Sequence, residues 1–246
     1  CVVPYTRGAE YSRPAEDVIA EAARLVAAGV REVTLLGQHV NNYHGAELAR
    51  TETWGLGRLI RELAETDGIE RIRYTTSYPA DMNDELIATH GEVPELMPFL
   101  HLPVQSGSDT VLKAMNRRHT ADDYRRLAGC LRGARPDIGL SSDFIVGFPG
   151  ETDADFAGTL GLVEEIGFVQ AYSVKYSRRP GTPAAAMDAQ VPQTVKNQRL
   201  QVLQHVFHAQ QLAFIPSCVG RVLPVTLPPP ARQPRQSGHR SPHLRR

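Results

Sequence analysis

Gly139-Leu140-Ser141-Ser142-Asp143-Phe144-Ile145-Val146-Gly147-Phe148-Pro149-Gly150-Glu151-Thr152 decides the fold. Its first eight residues read as a strand, and Gly147 to Glu151 form a glycine- and proline-rich turn at the strand's end. Thr152 with Asp155 then resembles a capping pair, which opens a helix running to Ile166. A strand, a polar turn and a capped helix make one unit of an α/β chain.

The same unit recurs on both sides. Upstream, Ser12-Arg13-Pro14 caps a helix that carries Ile19, Ala22, Ala23 and Val26 at helical spacing and stops at Gly29. The pattern predicts further strands over Val30–Leu36, Arg71–Thr75, Phe99–Val104 and Ala171–Tyr176. Helices are expected over Leu56–Thr66, Asn83–His90, Asp109–Met115, Ala121–Ala134 and Pro192–Phe214, the last with Leu200, Leu203, Val206 and Phe207 on one side. An open nucleotide-binding sheet would carry Gly-x-Gly-x-x-Gly straight after a strand. Gly55-Leu56-Gly57 instead follows a loop and lacks the third glycine. Polar groups recur after the strands: Gln38, Ser77, Gln105 with Ser106, Glu151, and Ser177 with Arg179. In a closed or partly closed parallel barrel those ends meet on one ligand-binding face, so the barrel is the expected architecture.

Composition sets the limits. The chain has 246 residues, 41% of them apolar, which suffices for one barrel-sized core. No apolar run is long enough to span a membrane. Three widely spaced cysteines, Cys1, Cys130 and Cys218, do not form a disulfide framework and suggest a reducing cytoplasm. Cys130 reads as helix packing, and His205 with His208 as solvated helix residues. The net charge of zero conceals an asymmetry. Residues 228–246 hold five arginines and no acid; removing those five from the 27 basic residues leaves 22 against 27 acids, a mildly acidic body. The expected organisation is a main α/β domain over 1–216, the start of a small β domain over 217–227, and a disordered Pro/Arg-rich tail over 228–246.

Several stretches carry a resemblance. They are Cys1-Val2-Val3-Pro4-Tyr5-Thr6-Arg7-Gly8 with Ser12-Arg13-Pro14, Leu35-Leu36-Gly37-Gln38 with Val40-Asn41, and His101-Leu102-Pro103-Val104-Gln105-Ser106-Gly107-Ser108. Met115-Asn116-Arg117, Asp143 to Thr152, and Tyr176-Ser177 with Arg179-Pro180-Gly181-Thr182 complete the set. Together they resemble the radical-SAM methylthiotransferases, most closely the branch that places a methylthio group on an adenosine beside the tRNA anticodon.

The resemblance implies a partial (β/α) radical-SAM barrel lacking its first strand, then an aborted TRAM-like β segment. It implies a [4Fe–4S] cluster and S-adenosylmethionine as cofactors. Three thiolates would hold the cluster, whose reduction of the bound sulfonium yields a 5′-deoxyadenosyl radical. Cys1 is similar to the last cysteine of the family's Cys-x-x-x-Cys-x-x-Cys loop. Gly37 and Gln38 correspond to the methionine end of the cofactor. Gln105, Ser106 and Ser108 correspond to the ribose side, and Ile145, Val146 and Gly147 to backbone beside the adenine. Arg117 is implied for the cofactor carboxylate or a nearby ion pair, and Arg7, Arg13 and Arg179 for RNA phosphates. The implied partners are a tRNA anticodon stem-loop and an electron donor, with a monomeric, cytoplasmic enzyme. Purely structural roles compete: turn glycines for Gly37 and Gly147, helix N-terminal charge for Glu151, and a solvated surface position for Arg13.

The chain also departs from that pattern. Two of the three cluster cysteines, the preceding strand, and the N-terminal auxiliary-cluster domain are missing from this sequence. The expectation is a truncated, catalytically inert fragment with an unpaired edge at its first strand. Three readings compete with the tRNA enzyme: a relative that modifies a ribosomal-protein aspartate, a non-catalytic RNA-binding piece, and a pseudogene product.

Overall fold

The computed structural model describes residues 8–46, 52–75, 77–220 and 222. Its elements run α1 (Ala15–Ala27), β1 (Glu32–Leu35), β2 (Gly45–Ala46), β3 (Thr53–Trp54), α2 (Leu56–Ala64), β4 (Arg71–Tyr74), α3 (Asp84–Glu92) and β5 (Phe99–His101). They continue as α4 (Asp109–Ala114), α5 (Ala121–Ala134), β6 (Gly139–Val146), α6 (Asp153–Ile166), β7 (Gln170–Lys175), α7 (Pro183–Ala186) and α8 (Gln193–Ser217). The strand–helix alternation follows the sequence pattern. The short antiparallel β2–β3 pair was not expected.

Apart from that pair, the strands are parallel and follow chain order. β1 pairs with β4, and β5, β6 and β7 form a second ladder. Among the described residues a single bridge, Ile72 to Leu96, joins the two. Ile72 N donates to Glu95 O at 2.8 Å and Met97 N to Ile72 O at 3.0 Å. Among the described residues no pairing closes β7 back onto β1, so the sheets form an open parallel series rather than a closed barrel. The missing contact is at the edge of β1, where the sequence placed an unpaired strand.

One face of this series is covered by helices. Leu100, Leu140, Phe144 and Val146 join Leu162, Val163, Phe168, Leu203 and Phe207 in the core, while Ile72 and Tyr74 meet Leu59, Ile60, Leu63 and Leu86. Side chains on the other face alternate with these. There Glu32 holds Arg71 at 3.1 Å and Arg73 at 2.9 Å.

Local chemistry shifts several expected boundaries. Strand β5 ends at His101 instead of Val104 because Pro103 has no N–H for the ladder. The Ser142 hydroxyl substitutes there, donating to Leu102 O and accepting from Val104 N, both at 3.0 Å. Pairing then resumes for one residue at Gln105. Helix α1 is preceded by Pro14 with no side-chain cap, and Ser12 accepts from His44 N at 3.2 Å instead. Thr152 and Asp155 form the expected capping box. Cys130 is exposed on α5 rather than packed. Helix α8 reaches Ser217, and 218–220 form a turn. The rest of the expected β segment and the basic tail lie outside the described residues.

Candidate functional site

The carboxyl ends of the parallel strands carry most of the polar groups singled out from the sequence. After β1 the chain passes Gly37 and Gln38, both exposed, into a short 3₁₀ turn over Val40–Asn42. A Cβ on Gly37 would sit 3.2 Å from Val40 Cγ2, so the turn is tight against its own next side chain. Asn41 is buried and reads the backbone of the next strand end. Its amide donates to Tyr78 O and accepts from Tyr78 N, each at 2.8 Å. Two strand ends are thereby locked together.

Tyr78 is the hub of this region. Its ring meets His39 edge-on at 5.3 Å and His119 at 5.7 Å, and the guanidinium carbons of Arg117 and Arg118 lie 5.5 and 5.3 Å from its centroid. Arg118 is committed elsewhere: its N–H donates to the Tyr78 hydroxyl at 2.7 Å and its guanidinium binds Asp81. Arg117 is half-buried, and no carboxylate pairs with it among the described residues. Burial pulls its pKa down, against the opposing pull of Tyr78 and Asp143. A guanidinium held this way is suited to an incoming anion.

Unsatisfied groups line the same region. His119 donates from Nε2 to Val104 O at 3.3 Å, which leaves its buried Nδ1 without a partner among the described residues. Burial lowers the pKa of this imidazole and favours the neutral form. The Ser77 hydroxyl is also buried and unpartnered among the described residues. Such groups carry a cost that a bound polar ligand relieves.

Gln105 is buried with φ +80°, an unusual conformation for a non-glycine residue. Its N–H donates to Asp143 O at 2.9 Å and its carbonyl accepts from Ile145 N at 3.0 Å. Its side-chain amide makes no hydrogen bond among the described residues, so strain is stored where a polar group is presented. Ser106 and Ser108, by contrast, serve the framework. Ser106 Oγ lies 3.2 Å from Thr159 Oγ1, and Ser108 caps α4 and donates to Asp155 Oδ1 at 2.5 Å.

At the end of β6, Ile145 and Val146 continue into buried Gly147, whose φ is +70°. Glu151 accepts from Gly147 N at 3.0 Å and from Arg199 Nη1 at 2.7 Å, so it closes the turn rather than merely facing a helix N-terminus. Burial raises its pKa, opposed by the Gly147 N–H and by Arg199. Lys196 crosses Gly147 and donates to Tyr176 O at 3.2 Å.

The structure thus brings Gln105, Ile145, Val146 and Gly147 together by strand pairing, and Arg117 beside Tyr78. Arg13 is paired with Glu21 at 2.6 Å, and Arg179 is exposed on the loop after β7. Cys1 and Arg7 lie outside the described residues. Tyr78, His119, Lys196 and Arg199 were not singled out in advance, and Asn41 was quoted only within the Val40-Asn41 stretch. For Lys196 and Arg199 a signal existed: they share the helical face of Leu203 and Phe207 at spacings of three and four.

Residues 1–163 match the family model of the radical SAM superfamily. Over 244 residues, 99% of its length, the chain is 60% identical to the tRNA-2-methylthio-N(6)-dimethylallyladenosine synthase of Jannaschia sp. (strain CCS1). It spans 52% of that relative, about half its length. Among solved structures it resembles the radical S-adenosylmethionine methyltransferase TsrM of Kitasatospora setae with cobalamin and a [4Fe-4S] cluster bound. The TM-score is 0.53 at 17% identity, over 70% of this chain and 33% of that one. The same enzyme with tryptophan substrate and a SAM analog, aza-SAM, gives 0.53 at 17% identity, over 70% and 32%. At that identity the likeness concerns the fold.

Proposed function

The chain belongs to the radical SAM superfamily, and on that premise we propose that it is the cofactor-binding part of a tRNA methylthiotransferase. The reaction is addition of a methylthio group to carbon 2 of an N6-isopentenyladenosine next to the anticodon. The observation that carries this reading is the 60% identity, maintained over 99% of the chain, to an enzyme named for that product. The partners it implies are a tRNA anticodon stem-loop and an electron donor. The corresponding setting is a monomer in the cytoplasm; among the described residues no helix is long and apolar enough to cross a membrane.

The strand ends suit S-adenosylmethionine, which when bound supplies a carbon-centred radical and a methyl group. Arg117, half-buried and without a carboxylate partner among the described residues, would hold the cofactor carboxylate. The orphaned Ser77 hydroxyl and His119 Nδ1 offer a donor and an acceptor in the region around Tyr78. Gln105 presents its amide from a strained backbone, the exposed Gly37 and Gln38 would meet the methionine end of the cofactor, and the 145–147 backbone would lie beside its adenine. Ser106 and Ser108 position the loop through Thr159 and Asp155 rather than meeting the ligand. Arg179, exposed beyond β7, would meet RNA phosphate, whereas Arg13 is engaged with Glu21.

No group of three or more His, Cys, Asp or Glu side chains among the described residues is arranged to hold a metal. The proposed iron–sulfur ligand Cys1 lies outside them. Mass analysis of tRNA nucleosides from a strain lacking the gene tests the proposal. Loss of 2-methylthio-adenosines is expected. Unchanged methylthio-adenosine, with a ribosomal-protein aspartate left unmodified, would instead assign the gene to the ribosomal branch.

A further inference from the structure

We propose that the sheet face not covered by helices carries a 6-aminopurine-reading site built from Asp143, His101, Ser141 and Tyr172. The inference rests on the tRNA reading above and names the side chains that would recognise the target base.

Strand register assembles the site. His101 lies opposite Ser141, Asp143 opposite Tyr172, and Ile145 opposite Val174, all on one face. Tyr172 and Val174 are each 56% exposed, an unusual state for two large apolar side chains adjacent on a strand. They offer an uncovered aromatic and aliphatic surface below the strand ends. The Tyr172 hydroxyl accepts from Gln170 Nε2 at 2.6 Å, which holds the ring in place.

Beside that surface stands an oriented acceptor. His101 Nδ1 is 2.6 Å from Ser141 Oγ, its Nε2 is 3.5 Å from Asp143 Oδ2, and its ring meets Tyr172 edge-on at 6.3 Å. With the Ser141 hydroxyl donating to Nδ1, the Nε2–H faces the carboxylate. Asp143 keeps its other oxygen open, with a side chain 41% exposed and no arginine or lysine paired to it among the described residues. Arg117 acts on it only through space. A carboxylate beside an aromatic surface accepts the exocyclic N–H of adenine, a proton that an N6-alkyl adenine retains. It repels the 6-oxo group of hypoxanthine, which has only lone pairs to offer.

Binding of the full chain to two anticodon stem-loop RNAs, one with adenosine and one with inosine at the target position, tests this by fluorescence anisotropy. The wild-type chain should prefer adenosine by about 10- to 100-fold. Asp143→Asn should reduce the preference to within about threefold, since an amide can donate as well as accept. Tyr172→Ala, at an exposed edge-strand position, should weaken both RNAs alike by about tenfold. A preference retained in Asp143→Asn, or equal wild-type affinity for the two RNAs, overturns the inference and leaves the proposed function standing. Should Asp143→Asn fail to fold, as shown by its thermal melt, Tyr172→Ala decides, and unchanged affinity there overturns the site. A wild-type chain that binds neither RNA contradicts the tRNA reading itself, and the inference falls with it.

Discussion

Gly147→Ala is the sharpest perturbation of the strand-end architecture. Gly147 adopts φ +70°, where a Cβ costs about 1–2 kcal/mol in an L-residue. The added methyl would also sit 2.4 Å from Lys196 Cγ, 3.1 Å from Cδ and 3.3 Å from Cβ. These atoms belong to the stem of the lysine, which is anchored in α8 and only 7% exposed, so it cannot swing aside at its tip. Overpacking of that kind costs about 1–3 kcal/mol. The total expected destabilisation is therefore about 2–5 kcal/mol, read as a lower urea midpoint at unchanged slope. A double-mutant cycle separates the two contributions. In a Lys196→Ala background only the backbone cost should remain, giving a coupling of about 1–3 kcal/mol. A Gly147→Ala variant within about 0.5 kcal/mol of wild type, or a cycle with no coupling, would refute the packing argument.

Two further outcomes follow from buried charge. Arg199 and Glu151 form an ion pair with side chains 8% and 2% exposed, so Arg199→Ala should destabilise by about 3–5 kcal/mol in urea unfolding, against under 1 kcal/mol if the pair were dispensable. His90 is fully buried, accepts the Tyr74 hydroxyl at 2.7 Å, and has its pKa pushed down to about 4, first by burial and then by Arg135. The unfolded chain takes up that proton near pH 6.5, so stability is complete above that value and declines as pH falls toward 4, by on the order of 3 kcal/mol. His90→Phe should flatten the pH dependence in that window; an unaltered slope would assign it to other groups.

Much of the framework was legible because it rests on local rules. Strand β6 and the Thr152–Asp155 cap follow from alternation and capping chemistry, and their bounds in the structure match the sequence pattern. The site was legible only in part. Residue type and position after a strand pointed to Gln105, but its left-handed backbone is held by pairing with Asp143 and Ile145 on β6, some 40 residues away in sequence. That Ser106 and Ser108 also hold the framework was not legible, because their partners Thr159 and Asp155 are some 50 residues away, on α6. Lys196 and Arg199 escaped notice because apolar periodicity does not count buried charges, and what makes their burial tolerable is the Tyr176 carbonyl and Glu151 on other elements. The open edge at β1 was expected from the resemblance, which implies a barrel lacking its first strand, whereas the strand pattern alone does not distinguish a closed barrel from an open series.

The central claim is that the loops after the parallel strands hold S-adenosylmethionine. Hydrogen–deuterium exchange of the chain, with and without S-adenosylmethionine, tests it most directly. Slowed exchange is predicted in residues 36–42, 77–82, 103–108 and 143–151 together. Unchanged exchange in those four segments, or protection confined to other parts of the fold, would contradict it.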